Sequence, residues 1–490
     1  MGNPEYKKGK KMACSNNILR FISLKSGPDF LYNVCLTIIS CCWVVNAGAQ
    51  NLHGCYTCDV ETLSRAKPDT IRQPAGKFCL STATLLLSEL TPWAVDHYIR
   101  HVDYANISMK TIGDNVNPKS WSWDGDGFTT NQFGHPYHGS YFFNSFRANG
   151  YNFWQSAAAS FAGSYIWETV AENQAPAPND FINTGFGGSI LGEMTHRIAN
   201  KIINNRATGL KRQVSEIAAF LINPVNGFSR LADGRWGRLL PNAPNRDTSA
   251  VLTEFDLGVR KLISKNEKES SGLYAHIRLI YGSAFEKYTS PFSHIYINAE
   301  FGKDDSSKLN ILSVYGSIAG WQSRSMKKKS QVLLLTANYD YIRNSAFFYS
   351  AQSLKYNFYT SLLKTRRVKI KSIAGTGWIV LAAVPDRYGH EERFYDYCTG
   401  ANVNGLVNTD VLGRFLFNAS FRGSWLKSVD GTKSTYVLAT LTGEVGLRVF
   451  GTFFICGEAG YATLRGSYKE FDPVNKKYAY LRLSLRYNLF

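Results

Sequence analysis

The stretch HPYHGSYFFNSFR, residues 135–147, brings together side chains able to do chemistry. His135 and His138 could exchange protons near neutral pH or ligate a metal, and Arg147 could hold an anion. Further along lie Glu168, Glu172, Asp180, Glu193, His196 and Arg197. Gathered around one cavity, His135, Glu168 and Glu193 are the candidate catalytic groups. His138, Arg147, Glu172, Asp180 and Arg197 are the candidate binding groups. A structural alternative uses the same residues. Glu193 and Arg197 stand at i, i+4 and can pair along a helix, Arg147 can neutralise Glu168, and His135 can cap a turn.

Metal chemistry is incomplete in this pattern. His135-x-x-His138 and Glu193-x-x-His196 offer ligands, but a di-metal carboxylate bundle needs two Glu-x-x-His motifs and the chain has one. No metal and no cofactor is expected, and His196 reads as a surface helix residue. WDGDGF fails as a calcium loop, because counting from Asp124 the twelfth position is His135 rather than a bidentate Glu; it reads as a turn. GFGGSILG lacks dinucleotide spacing and reads as a helix start, and no G-x-S-x-G elbow occurs. CYTC at Cys55–Cys58 has no second pair, and five cysteines remain outside the leader, an odd number for a disulfide framework.

Two kinds of element must position these groups. From about residue 80 to 225 the apolar period is helical. STATLLLSEL runs to Pro92, which should end or kink it. In the helix beginning near Tyr151, Trp154, Ala158, Phe161, Tyr165, Glu168 and Glu172 follow steps of four and three, so both carboxylates continue an aromatic stripe. In GGSILGEMTHRIANKII, Gly188 and Gly192 are four apart and permit a close helix contact; QVSEIAAFLI stops at Asn223-Pro224.

From about residue 250 the period becomes two. LYAHIRLIY sets Leu273, Ala275, Ile277, Leu279 and Tyr281 against His276 and Arg278; HIYINAEF and TYVLATLTGEVGLRVF repeat the pattern. About twelve such runs are counted, several longer than the strands of a soluble sandwich and long enough for tilted membrane strands. The last, YAYLRLSLRYNLF, puts Leu481, Leu483, Leu485 and Tyr487 opposite Arg482, Ser484 and Arg486. Phe490 falls on the arginine side, a departure from the usual terminal signal of such barrels.

Basic residues, an apolar run and NAGAQ at the N-terminus read as a signal peptide cut before Gln50; Ser40-Cys41 as a lipoprotein junction ranks second. The leader carries six basic and two acidic side chains, so the net charge of +18 falls to about +14 without it. In an exported chain with 28 Tyr and 30 Phe, that surplus fits phosphate-bearing lipid better than nucleic acid. KLISK, RSMKKK and KTRRVKIK, near strand ends, are the candidate contacts.

WSWDGDGFTTNQFGHPYHGSYFFNSFRANGYNFWQS, followed by SYIWETVAENQAPAPNDFINTGFGGSILGEMTHR and INPVNGFSRL, resembles the domain of unknown function 3943 family over about residues 80 to 235. The resemblance implies an exported protein of a diderm bacterium in which a helical block precedes a β-rich part. It implies no activity.

The expected fold is α+β: a signal peptide (1–49), an exported segment (50–79), a helical domain (80–240) and a roughly 12-stranded antiparallel transmembrane β-barrel (250–490). The helical domain is expected to plug the barrel or pack beneath it. The expected role is an integral outer-membrane component, non-enzymatic, in pore, transport or assembly work. The alternatives are a barrel-embedded lipid-modifying hydrolase using the His/Glu cluster, and a surface protein whose long loops bind a partner. Expected partners are outer-membrane lipid, lipopolysaccharide and the barrel assembly machinery, with no nucleic acid.

Overall fold

A computed structural model describes residues 76–490 except 204–206, 239–248, 265–269, 286–287, 303–306, 323–330, 345–346, 391–392 and 490. The leader, its two candidate junctions, CYTC, RSMKKK and Phe490 lie outside the described residues.

Alternation of large apolar with polar residues gives twelve strands: β1 Val251–Ser264, β2 Ser270–Tyr281, β3 Ile295–Gly302, β4 Leu309–Trp321, β5 Gln331–Arg343, β6 Phe348–Lys364, β7 Val368–His390, β8 Arg393–Val411, β9 Phe415–Asp430, β10 Ser434–Phe450, β11 Phe453–Tyr468 and β12 Val474–Leu489. Each pairs antiparallel with its sequence neighbours, and β1 closes on β12, so no strand edge is left bare. The chain enters β1 and leaves β12 at one end, here the terminal end; the other is the far end.

Register fixes what each face carries. Leu485, Leu257, Ala275 and Phe301 are successive partners, as are Arg486, Asp256, His276 and Glu300 on the opposite face. The charged set points into the lumen and bonds across it: Arg278 of β2 reaches Glu444 of β10 at 2.5 Å, and Arg482 of β12 pairs with Glu300 of β3. Towards the far end the lumen is filled by an apolar cluster that includes Tyr349, Ile379, Leu426, Tyr436 and Leu438. On the outward face of β9–β12 and β1, apolar side chains such as Phe421, Leu441, Ile455, Leu483 and Leu257 are exposed.

The described N-terminal residues form α1 Phe78–Ala94, α2 Met109–Asn115, α3 His135–Arg147, α4 Phe153–Ile166, α5 Pro178–Ile182, α6 Gly188–Ile202, α7 Gly209–Ile222 and α8 Pro224–Ala232. Wider π-type turns, Val95–Arg100, Thr130–Gly134, Trp167–Ala171 and Asn183–Gly187, join or extend them. Small residues set the closest approach. A Cβ on Gly188 would stand 2.5 Å from the backbone of Gly139, and one on Gly192 would stand 2.6 Å from the Phe143 ring. The Gly188/Gly192 spacing therefore does bring α6 against α3.

The helices do not plug the barrel. They pack on its outer wall. Ile277, Tyr281, Ile295, Ile297, Val314, Tyr339 and Tyr341 share the outward parity of Leu257 and Leu485, yet they are buried in one core with Phe133, Phe143, Phe153, Ile190 and Leu191. Contacts run the height of the wall. Arg197 donates to the Tyr281 hydroxyl (3.2 Å) at the terminal end, and Asn131 donates to the Tyr397 hydroxyl (2.7 Å) near the far end. A plug needs an empty lumen, and the barrel's own side chains already occupy that space.

Three local expectations change. Pro92 lies inside α1 without ending it. Its missing N–H leaves the Ser88 carbonyl without its helical donor, and His138 Nε2 supplies one at 3.0 Å. Residues 135–147 form a helix rather than a turn, begun by His135 with Pro136 in its first turn, where a missing N–H is harmless. The aromatic stripe of α4 is its outer face: Trp154 and Tyr165 are exposed while Ser156, Ser160, Gly163 and Ser164 are buried. The π-type turn Trp167–Ala171 then adds a residue to the turn, which rotates Glu168 off that stripe and into the interior.

Candidate functional site

Five elements of the helical domain converge on a buried group of acids and imidazoles. The extended segment before α3 brings Asp124, the first turn of α3 brings His135, the π-type turn after α4 brings Glu168, α5 brings Asp180, and α1 brings Glu89. Glu89, Glu168 and Asp180 are all buried. One ligand-capable atom from each of His135, Glu168 and Asp180 lies within 4.8 Å of the other two.

The hydrogen bonds are local and sparse. Ala177 N–H donates to Glu168 Oε2 (2.9 Å), while Glu168 Oε1 is buried with no partner. Asn179 Nδ2 donates to Asp180 Oδ1 (2.8 Å), and its Oδ1 accepts from Asp124 N–H (3.0 Å). His135 Nδ1 faces Thr184 Oγ1 at 3.2 Å, and Nε2 stands 3.5 Å from Asp180 Oδ1. Both carboxylate oxygens of Glu89 are buried without a partner.

Within the described residues no Lys or Arg meets the carboxylate oxygens of these acids in a hydrogen bond or ion pair; Arg393 Nη1 donates to the backbone carbonyl of Asp124 (2.6 Å). His138 is committed elsewhere: its Nε2–H repairs α1 at Ser88, and its ring packs against Phe142 and Trp167. Glu172 accepts from the Trp167 indole.

The other candidates form a separate cluster. Glu193, buried in α6, accepts from Arg147 (2.7 and 3.1 Å) and from Arg197 (2.8 Å). Burial works against its ionisation, but the two guanidiniums outweigh that and hold it at about 2. Arg197 also donates to the Pro291 carbonyl (2.8 Å), tying α6 to the barrel's β2–β3 connection. The i, i+4 pair is as expected, but Arg147 neutralises Glu193 rather than Glu168. The single cavity expected from the sequence is two clusters, one charge-matched and one not. His196 is half-buried, its Nε2 against Asn200 at 3.0 Å, rather than a surface residue.

Sequence reasoning missed Glu89, Asn179 and Thr184, and set Asp124 aside with the failed calcium loop. Glu89 did leave a signal, as the one acid in the run STATLLLSEL. It is buried with Ser81, Thr84 and Ser88, whereas Leu86, Leu87 and Leu90 are exposed. The polar side of α1 faces inward, the reverse of a soluble helix.

The family described as Domain of unknown function (DUF3943) matches residues 120–225, which span Asp124, His135, Glu168, Asp180 and Glu193. No curated protein matches the chain. Among solved structures, a KdgM porin aligns at 9% identity and TM-score 0.24, covering 48% of this chain and 99% of the porin. The CymD monoaromatic hydrocarbon channel aligns at 7% and 0.24, covering 49% and 87%. The outer membrane protease OmpT from Escherichia coli aligns at 10% and 0.17, covering 49% and 96%. Scores this low carry no argument, and the barrel rests on its own strand pairing. Residues 120–225 are thus similar to the DUF3943 family, and they precede a closed twelve-stranded antiparallel β-barrel.

Proposed function

We propose that this protein is an integral outer-membrane component whose barrel is a membrane anchor with a side-chain-filled lumen, and whose helical domain shares the bilayer against the barrel wall. One observation carries the reading: at mid-height, outward residues of β9–β12 and β1 such as Phe421, Leu441, Ile455, Leu483 and Leu257 are large, apolar and exposed, while inward Asp256, Glu444 and Arg486 are charged and paired. Water would penalise that arrangement, and acyl chains would not. The outer faces of α1 and α4 continue the apolar surface with Phe78, Leu87, Leu90 and Trp154, as a helix surface facing lipid would.

Among the expected roles this favours an anchored envelope component over an open pore, because ion pairs and the far-end apolar cluster cross the lumen. Far-end connections are short, from 391–392 between β7 and β8 to 303–308 between β3 and β4, which gives the long-loop binding reading little surface. Lipid and lipopolysaccharide remain the proposed partners. Outward-facing Lys427, Arg465 and Lys477 are exposed at the far-end rim, next to the apolar band, where lipid phosphates would lie. Folding would use the barrel assembly machinery.

The test is extraction and electrophoresis. The mature protein should need detergent, migrate faster unboiled than boiled, and show no steady porin-like conductance in planar bilayers. A chain that stays soluble without detergent would remove the reading; sustained conductance would restore the pore. The unpaired acids beside the wall favour a second reading, a lipid-modifying enzyme. It requires lipid A mass to change on deletion and not to revert with Glu168→Gln. Glu193 is unsuitable for that test, because it holds the fold together.

A further inference from the structure

The geometry points to a divalent transition-metal site formed by His135, Glu168 and Asp180, with Asp124 and Glu89 as its outer acids. It goes beyond the membrane reading and does not depend on it. Three observations converge.

First, the ligand atoms are already gathered. A first-row ion about 2.1 Å from each donor holds cis ligands about 3 Å apart and trans ligands about 4.2 Å apart. The present spread of up to 4.8 Å therefore needs only a small inward movement of side chains from three separate elements.

Second, the acids lack what a buried carboxylate requires. Glu168 Oε1 and both Glu89 oxygens are buried and unpartnered. Protons alone would leave hydroxyl donors equally unsatisfied, because neither group has an acceptor among the described residues. A divalent charge would compensate several carboxylates at once. His135 Nδ1 faces Thr184 Oγ1 at 3.2 Å and Nε2 faces Asp180 Oδ1 at 3.5 Å, so with the proton on Nδ1 the Nε2 lone pair is turned towards Asp180, and 3.5 Å is long for a hydrogen bond between them. Thr184 then acts as the outer partner that sets the tautomer of a ligating imidazole.

Third, the backbone is specialised at each ligand. A π-type turn immediately precedes His135, another contains Glu168, and a third begins two residues after Phe181 and contains Thr184. Such turns concentrate at functional sites, since the wider ring re-aims a side chain that an α-helix would point elsewhere.

One imidazole with two or three carboxylates suits zinc or manganese better than the all-oxygen shells of calcium or magnesium. The neutral imidazole and the carboxylates are the ligating forms of these side chains.

The experiment uses the full chain in detergent, stripped with chelator, then equilibrated separately with Zn²⁺, Mn²⁺, Ca²⁺ and Mg²⁺ and desalted before elemental analysis. One equivalent of Zn²⁺ or Mn²⁺ per chain is expected. The double variant Glu168→Gln/Asp180→Asn, isosteric with the protonated acids, should keep its heat-modifiable mobility and lose the ion. Thr184→Val, which leaves all three ligands in place, should weaken affinity about tenfold or more. Failure of the wild type to retain any cation overturns the site, as does equal retention by the double variant. If the double variant does not fold, unchanged affinity in Thr184→Val together with retention in His135→Asn overturns it. Retention of Ca²⁺ or Mg²⁺ alone overturns the transition-metal class. None of these outcomes bears on detergent dependence, so the site and the membrane reading fail separately.

Discussion

Two sets of buried acids lie within this chain, and they are built on opposite rules. In the lumen the central carboxylates Asp256, Glu300 and Glu444 each meet arginines, and Asp396 near the far end accepts instead from Ser434, Tyr436 and the Thr432 amide. Arg486 bonds Asp256 (2.6 and 3.0 Å) and Glu444 (2.9 and 2.6 Å), Arg278 adds a second guanidinium at Glu444, and Arg260 and Arg482 both pair with Glu300. In the helical domain, Glu168 has one backbone amide, Asp180 has one asparagine amide, and neither oxygen of Glu89 has a hydrogen-bond partner among the described residues. The lumen's matched charges are what a fold needs to fill an interior with polar groups. The unmatched acids are what a fold tolerates when something else supplies the positive charge. Glu193, clamped by Arg147 and Arg197, belongs to the first rule although it sits in the second region.

This contrast can be broken first in the lumen. Arg486→Met would strand Asp256 and Glu444 and should cost about 3–5 kcal/mol, seen as loss of the fast-migrating band or a lowered urea midpoint. Glu193→Gln leaves two guanidiniums short of charge and should cost about 3 kcal/mol, whereas Glu168→Gln in metal-free protein should change stability by less than about 1 kcal/mol. Equal losses for these two variants would erase the distinction between the clusters. Gly139→Ala would place a methyl 1.9 Å from the Thr184 carbonyl, and should cost about 1–3 kcal/mol while also disturbing the His135 partner.

The smallest effect is a pH dependence. Burial and the neighbouring arginines hold His196 at about 3, below the ordinary value near 6.5. A group depressed in the fold contributes stability that is present above its unfolded pKa and is lost as pH falls from about 6.5 towards 3. His196→Asn should flatten the melting temperature between about pH 6.5 and 4. An unchanged slope would place His196 in water.

Much of this was legible in the residues. Alternation in TYVLATLTGEVGLRVF and YAYLRLSLRYNLF gave the strands and their two faces, because a period of two leaves one solution once one face is apolar. The Glu193–Arg197 pair follows from helical spacing alone. Illegible were the phase shifts. A π-type turn changes the helical count without a composition signal, which hid the inward turn of Glu168, and an apolar stripe does not say what covers it, so Trp154 and Tyr165 looked like core. Nor could the sequence tell that His138 would spend its N–H on the carbonyl left by Pro92, 46 residues upstream of it in sequence.

By itself, then, the sequence determined the two halves, a count of about twelve strands, and which side chains share a strand face. These are local properties, set by 3.6 and 2.0 residue periods. The tertiary structure decided that β2–β5 are covered by helices and β9–β12 are bare, that Arg147 goes to Glu193, and that Glu89, Asp124, His135, Glu168 and Asp180 converge. Periodicity names a face, whereas the partner of that face depends on packing between segments far apart in the chain.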